Sequence, residues 1–264
     1  MFYVMEALTC QVCEKGELKM KLRVIAIGFA LALLLGSGAC VTARPAPANS
    51  ERETQTPPKN GDDNPVTIGA SVYLPSPKTN GDISVEKALQ NRRSRRDFQS
   101  TAITADQLSQ ILWAAYGMTA PGRRTSPSAG ALYSLEIYVS VGNVEGITPG
   151  VYRYISEEHK IEMIVEGDVR DELRYAAQQS VVDAPATVFY SADFEKAVNS
   201  YGEEDLKYVY MEAGHSAQNV YLQAEALGLS TCAIAGFIDG YVREIFRLSV
   251  NKEPLYLMPI GFVK

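Results

Sequence analysis

Between Val41 and Pro65 the chain carries Pro45, Pro47, Pro57, Pro58 and Pro65 among Asn, Thr, Asp, Glu and Lys, with few large apolar residues. A run of that composition buries too little surface to offset the entropy of ordering it. Residues 41–70 are therefore expected to form a disordered Pro-rich tether, and any core has to be assembled from residues 71–264. Those residues have the means, because the chain is 46% apolar and carries fifteen Tyr and eight Phe. The net charge of −6 and a pI near 5.1 lack the clustered positive charge of a nucleic-acid surface, so no nucleic-acid partner is expected. Four Cys and two His show no metal-ligand spacing in the globular part, so no metal site is expected.

Ahead of the tether, the sequence from Met20 reads as an export signal. Lys21 and Arg23 supply a short positive region, and Val24 to Leu35 is an unbroken stretch of apolar residues and Gly. Gly36-Ser37-Gly38-Ala39 and Cys40 follow, and this end resembles a bacterial lipobox, with Ser37 where Leu is usual. Residues 1–40 are expected to be a leader whose true start is Met20. Cys40 is the expected lipid attachment point, which would leave the protein anchored on the extracytoplasmic face of a membrane. The alternatives are a plain cleaved signal or an uncleaved anchor. Cys10-x-x-Cys13 stands before this signal and carries little weight.

Periodicity gives a coarse map of residues 71–264. Ser84 caps a short helix, and Thr104 with Gln107 forms a capping box ahead of Leu108, Ile111, Leu112 and Ala115 at helical spacing, ending at Gly117. Leu135–Val141 alternates as a strand, and Val151–Ile155 with Ile161–Val165 makes a hairpin. A helix is expected from Asp168 to near Ser180 and a strand over Thr187–Tyr190. The longest helix should run from Leu206 to Leu227 with Leu206, Tyr210, Ala213, Ala217, Val220, Ala224 and Leu227 on one stripe and Gly228 as its cap. Thr231–Ala235 and Leu255–Ile260 read as buried strands around a helix at Val242–Leu248. Strands and helices mix without a βαβ rhythm, which favours an α+β sheet over a doubly wound fold.

Chemistry concentrates in three segments. Arg92-Arg93-Ser94-Arg95-Arg96 packs four guanidinium groups into five residues. Such a group suits a bound phosphate, because each planar fork donates two parallel hydrogen bonds; it is equally compatible with a solvated helix end. Arg123 to Tyr133 is a small-residue loop around Pro127, and Gly228 to Phe237 is a second small-residue stretch. Taken singly, each is also explained by an ordinary loop or by core packing. No Gly-Lys-Ser/Thr is present in these loops, which argues against a nucleotide triphosphatase.

In this order, and together with Leu112-Trp113-Ala114-Ala115-Tyr116-Gly117, Gly150-Val151-Tyr152-Arg153-Tyr154 and Glu212-Ala213-Gly214-His215-Ser216-Ala217-Gln218-Asn219, the segments resemble the nitroreductase family from about Ser84 to Gly261. The resemblance is nearest to the SagB-type branch, which includes azoline dehydrogenases of peptide-modifying clusters. It implies a nitroreductase-like fold, a central, mostly antiparallel sheet flanked by helices, and a homodimer with FMN held at its interface. It implies a flavin-dependent oxidoreductase that moves hydride through flavin N5, to or from a small-molecule or peptide substrate, with NAD(P)H as a possible electron donor.

Carried over residue by residue, Arg92, Ser94 and Arg96, with Arg93 beside them, would contact the phosphate and pyrimidine side of the flavin. Pro127, Ser128, Ala129 and Gly130 would reach it from the other subunit, and Ile234, Ala235 and Gly236 would lie near N5. Lys264 is the candidate for the basic group that relatives supply beyond the last strand, with Arg123 or Arg124 as substitutes. Lys207-Tyr208 resembles the catalytic Lys-Tyr pair of azoline dehydrogenases and could shuttle a substrate proton. Ala131 and Tyr133 stand where relatives often carry Asn and Gln. His215 is expected to be a buried core residue, His159 an exposed hairpin residue and Cys232 a small apolar filler. Gly214 suggests close helix contact. The alternative is a non-catalytic FMN-binding lipoprotein on the same scaffold.

Overall fold

The computed structural model describes residues 69–202 and 206–264; the predicted leader, Cys40 and the tether up to residue 68 lie outside the described residues. In chain order the elements are β1 (Ser71–Tyr73), α1 (Val85–Asn91), α2 (Ala105–Tyr116), β2 (Met118–Ala120), β3 (Arg123–Arg124), β4 (Leu135–Val141), β5 (Gly150–Ile155) and β6 (Lys160–Glu166). There follow α3 (Arg170–Ala176), α4 (Gln179–Asp183), β7 (Ala186–Asp193), α5 (Phe194–Tyr201), α6 (Lys207–Ala226), β8 (Ser230–Thr231), α7 (Asp239–Ile245) and β9 (Lys252–Gly261). Seven strands form one sheet in the order β1-β6-β5-β4-β7-β9-β8, and every neighbouring pair is antiparallel. This is the expected α+β architecture.

The sheet is covered on both faces, and the strand sequences show why. In a strand, successive side chains point to opposite faces. Ile137, Val139, Val188, Tyr190, Met258 and Ile260 all point into one core, with Leu108, Ile111, Leu112 and Ala115 of α2 and Val209, Ala213, Ala217, Val220 and Ala224 of α6. The alternate residues Tyr138, Phe189 and Leu257 point into a second core, with Leu173, Val181 and Val242 of α3, α4 and α7 and with Phe246, which caps α7. Central strand β7 therefore needs an apolar residue at nearly every position, and Ala186–Ala192 is buried throughout. Phe189 stacks on Phe246 at 4.2 Å.

Local signals set the helix ends that position the site. Ser84 Oγ accepts from Lys87 N–H at 3.2 Å, and the Thr104–Gln107 capping box is complete. Gly228 takes φ +69° after α6, the left-handed conformation that suits glycine. Three expectations differ. The helix expected from Asp168 to Ser180 is broken into α3 and α4, because the Ala176 carbonyl, which a continuing helix would give to Ser180, accepts from Ile238 N–H at 2.9 Å. The strand expected over Thr231–Ala235 stops at Thr231, because Ala233 N–H goes to the Tyr221 hydroxyl at 2.7 Å. On α6, Tyr210 is 55% exposed and off the buried stripe, which runs through Val209, Glu212, Ala213, Ser216, Ala217, Val220 and Ala224.

Candidate functional site

The basic cluster begins where α1 ends. Arg92 caps that helix in an extended conformation, and the chain then runs beside β8: Ser94 bridges Thr231 in parallel, and Arg95 N–H donates to the Thr231 carbonyl at 3.1 Å. The register brings the cluster against the 231–236 segment, two regions far apart in sequence. Tyr221 of α6 joins them. Its hydroxyl accepts from Ala233 N–H, shares a 2.8 Å hydrogen bond with Ser94 Oγ, and its ring lies 5.2 Å from the Arg92 guanidinium.

The four arginines divide by role. Arg95 turns inward onto Glu225 at 2.9 Å and Ser230 Oγ at 3.2 Å, and is structural. Arg93 folds back on the Gln90 and Arg92 carbonyls. Arg92 is half-buried and Arg96 exposed, and no carboxylate among the described residues pairs with either. Beside them Ile234 is buried, Ala235 and Gly236 are exposed, and a Cβ placed on Gly236 would meet nothing within 4 Å. Thr231 Oγ1 is buried at the same place without a hydrogen-bond partner. Lys264 reaches this corner too, but its N–H donates to the Asp97 carbonyl and its ammonium lies 3.1 Å from the Asp97 carboxylate, whose hydrogen bond and charge raise the lysine's pKa. Two guanidinium groups without carboxylate partners, a serine hydroxyl and open small-residue backbone form a donor set that fits a phosphate-bearing flat ring.

The Pro127–Gly130 loop is built differently. Gly130, Ala131 and Tyr133 take φ of +54°, +54° and +53°, a conformation uncommon outside glycine and held only where surroundings enforce it. Ser128 supplies that enforcement: its Oγ accepts from Tyr133 N–H at 2.9 Å and donates to Glu212 at 2.7 Å. Glu212 is 3% exposed and also accepts from the Tyr116 hydroxyl, which in turn accepts from Leu135 N–H. Burial pushes the Glu212 carboxyl above its usual range, against the opposing pull of the two hydroxyls and of Arg124 and Lys196. Arg124 is engaged within its own protomer. Its guanidinium lies over Tyr116 at 4.5 Å and Tyr133 at 5.2 Å and pairs with Glu157 at 2.5 Å.

Lys207 and Tyr208 open α6, with the Lys207 ammonium 5.2 Å from the Tyr208 ring centroid. Tyr208, Glu212, Ser128 and Ala129 line one small cavity, so the pair stands beside the Pro-Ser loop. It does not stand beside the basic cluster. Glu212 and Tyr221 are separated by two and a half helical turns, which puts them ~13 Å apart along the axis and on opposite faces of α6. A single protomer thus brings the Arg92–Arg96 segment against the Thr231–Gly236 segment, and Tyr208 against Ser128 and Ala129, as two separate groups.

Both histidines differ from expectation. His215 is exposed, as is Gly214, where an added Cβ would touch nothing within 4 Å. His159 is half-buried in a polar knot: Nε2 bonds to the Pro75 carbonyl at 3.0 Å and to Ser109 Oγ at 2.8 Å, and Nδ1 to the Tyr154 hydroxyl at 2.8 Å. A carbonyl can only accept, so Nε2 carries the proton. Burial depresses the His159 pKa, against the Pro75 hydrogen bond. Cys232 is fully buried with its thiol pKa raised by burial, as a filler should be. An open cleft of about 870 Å³ between α2, α6 and the 76–88 segment includes Gln110, Trp113, Asn219 and Gln223 and none of the candidate site residues. Tyr221 and Glu212 were missed as site residues. Only Glu212 had a sequence signal, a carboxylate on an otherwise small and apolar helical stripe.

Residues 89–262 match the model of the nitroreductase family. A putative nitroreductase of Methanocaldococcus jannaschii is 46% identical over 183 residues, covering 68% of this chain and 91% of that protein. The microcin B17-processing protein McbC of Escherichia coli is 28% identical over 166 residues; the match covers 59% of this chain and 61% of McbC. Among solved structures, a putative nitroreductase from Ralstonia eutropha superimposes with a TM-score of 0.65 at 26% identity, covering 75% of this chain and 91% of that one.

Proposed function

The chain belongs to the nitroreductase family, a family of oxidoreductases, and from that footing we propose that it is an FMN-dependent, SagB-type dehydrogenase working as a homodimer. The observation that carries the FMN reading is the meeting of Arg92, Ser94 and Ala233 around Tyr221, with exposed Arg96 following Ser94 in the chain and exposed Ala235 and Gly236 following Ala233. Arg92, Arg96 and Ser94 would hold the phosphate, and the Ile234–Gly236 backbone would lie against the ring. Bound there, FMN would supply two-electron redox chemistry to a substrate stacked on its open face.

The dimer reading rests on the separation of the two groups along α6. With the basic cluster and the Pro-Ser loop ~13 Å apart along α6 and on opposite faces of it, the loop and the Lys207-Tyr208 pair would serve the site of a second copy. There Lys207 and Tyr208 would exchange a proton with the substrate. NAD(P)H or the substrate itself would deliver the electrons. A leader ending at Cys40 would place this enzyme, lipidated, on the outer side of a membrane; the Cys40→Ala variant should then fail to incorporate labelled palmitate.

The test of the enzyme reading is reduction and reoxidation. Protein reconstituted with FMN should bleach on adding NADPH or dithionite and recover its colour with a quinone or nitroaromatic. Failure to take up FMN would overturn the reading, and uptake without reoxidation would leave only a binding protein.

A further inference from the structure

Glu212 has no part in the phosphate corner, yet it is a carboxylate on a helix stripe that is otherwise Val209, Ala213, Ser216, Ala217 and Val220. Burying a carboxylate is costly unless its oxygens are well bonded. Here one oxygen takes the Tyr116 hydroxyl and the other the Ser128 hydroxyl. Both hydroxyls are themselves oriented from behind: Leu135 N–H donates to Tyr116 Oη at 3.3 Å and Tyr133 N–H to Ser128 Oγ at 2.9 Å. Two backbone amides thus leave each hydroxyl with its proton aimed at Glu212. The carboxylate is the shared acceptor that ties α6 to the end of α2 and to the Pro127–Tyr133 loop, the stretch containing three left-handed residues. It also lies one turn beyond Tyr208 in the same small cavity.

We propose that Glu212 is a positioning residue: through Ser128 it holds the Pro127–Tyr133 loop in its left-handed course and in register with Tyr208, so that loop and Lys-Tyr pair are presented to the flavin site as one unit. The link to the flavin rests on the function proposed above; the link to the loop does not.

The test uses the full chain as Glu212→Gln, Ser128→Ala and the double variant. Gln keeps the volume but offers one acceptor oxygen in place of two, so one hydroxyl loses its partner. Hydrogen exchange is read on the peptide spanning residues 127–134, with β7 as the internal control, and FMN affinity by flavin fluorescence. In Glu212→Gln, exchange of the loop peptide should rise about tenfold while β7 is unchanged, the loss expected of one charge-assisted hydrogen bond; Ser128→Ala, which also removes the acceptor of Tyr133 N–H, should raise it further. The FMN Kd should rise by a similar factor, and the double variant should do no more than the worse single one, because both changes cut the same path. Loop exchange that stays at the wild-type rate, or rises only in step with β7, overturns the proposal, as do Kd effects that multiply in the double variant. Wild-type protein that takes up no FMN, with loop exchange still responding to Glu212→Gln, would instead refute the proposed function and leave the positioning role standing.

Discussion

Replacing Tyr221 by Phe removes one hydroxyl and keeps the ring, so the Arg92 contact at 5.2 Å survives. What is lost is the acceptor of Ala233 N–H at 2.7 Å and the partner of Ser94 Oγ at 2.8 Å. Ala233 is half-buried, so water reaches its freed amide only in part, and the cost falls at the low end of the range for an unmade hydrogen bond, about 1 kcal/mol. The exposed Ser94 bond adds roughly 0.5 kcal/mol. For a domain of this size, a loss of about 1.5 kcal/mol lowers Tm by roughly 3–6 °C. The larger effect should be on the ligand. Without the hydroxyl, the basic cluster and the 231–236 segment keep only their backbone link at Thr231, and an equal loss of binding free energy would raise the FMN Kd by about tenfold. Circular dichroism melts and flavin fluorescence titrations read the two quantities separately. The reasoning is refuted if Tyr221→Phe melts and binds FMN like the wild type, while Tyr221→Leu, which also removes the ring, is no worse.

The arginines should separate cleanly. Arg96→Ala is expected to weaken FMN binding by about tenfold or more with little change in Tm, because the side chain is exposed and pairs with no carboxylate among the described residues; Arg95→Ala should do the opposite, losing about 1 kcal/mol of stability with its Glu225 pair. Burial lowers the His159 pKa below the ordinary 6.5, against the Pro75 hydrogen bond. The unfolded chain therefore binds the proton more readily, so stability is complete above that value and falls as pH drops through it. Urea titrations over the acidic range should show a slope that is shallower in His159→Gln; identical slopes would contradict the assignment. Cys232, buried and with a raised pKa, should resist a thiol reagent in the folded protein and react on unfolding, as mapped by mass spectrometry; fast labelling of the folded state would show that this core opens.

What could be read ahead of the structure was the part encoded locally. Ser84 and the Thr104–Gln107 box mark their helix starts because the capping partner lies three residues away. The strand Leu135–Val141 matched to the residue because its apolar pattern faces two cores at once. Family motifs single out Arg92, Ser94 and Arg96 and leave Arg95 aside, but they could not foresee that Arg93 folds back on the Gln90 and Arg92 carbonyls or that Arg95 turns onto Glu225 of another helix. Tyr221 and Glu212 escaped for the same reason: their roles are defined by Ser94, Ala233, Tyr116 and Ser128, contacts that exist only once the sheet brings those segments together. His159 looked like a hairpin tip because its bonds to Pro75 and Ser109 come from distant chain. The breaks at Ala176 and Ala233 arise likewise, where a single long-range hydrogen bond outcompetes the next local one.

The central claim is that two copies of this chain enclose FMN between the basic corner of one and the Pro-Ser loop of the other. Native mass spectrometry of the purified protein tests it directly. The expected result is a mass of two chains carrying one FMN each, with Arg92→Ala/Arg96→Ala shifting the population toward flavin-free protein. Single chains without flavin, unchanged after incubation with FMN, would contradict it.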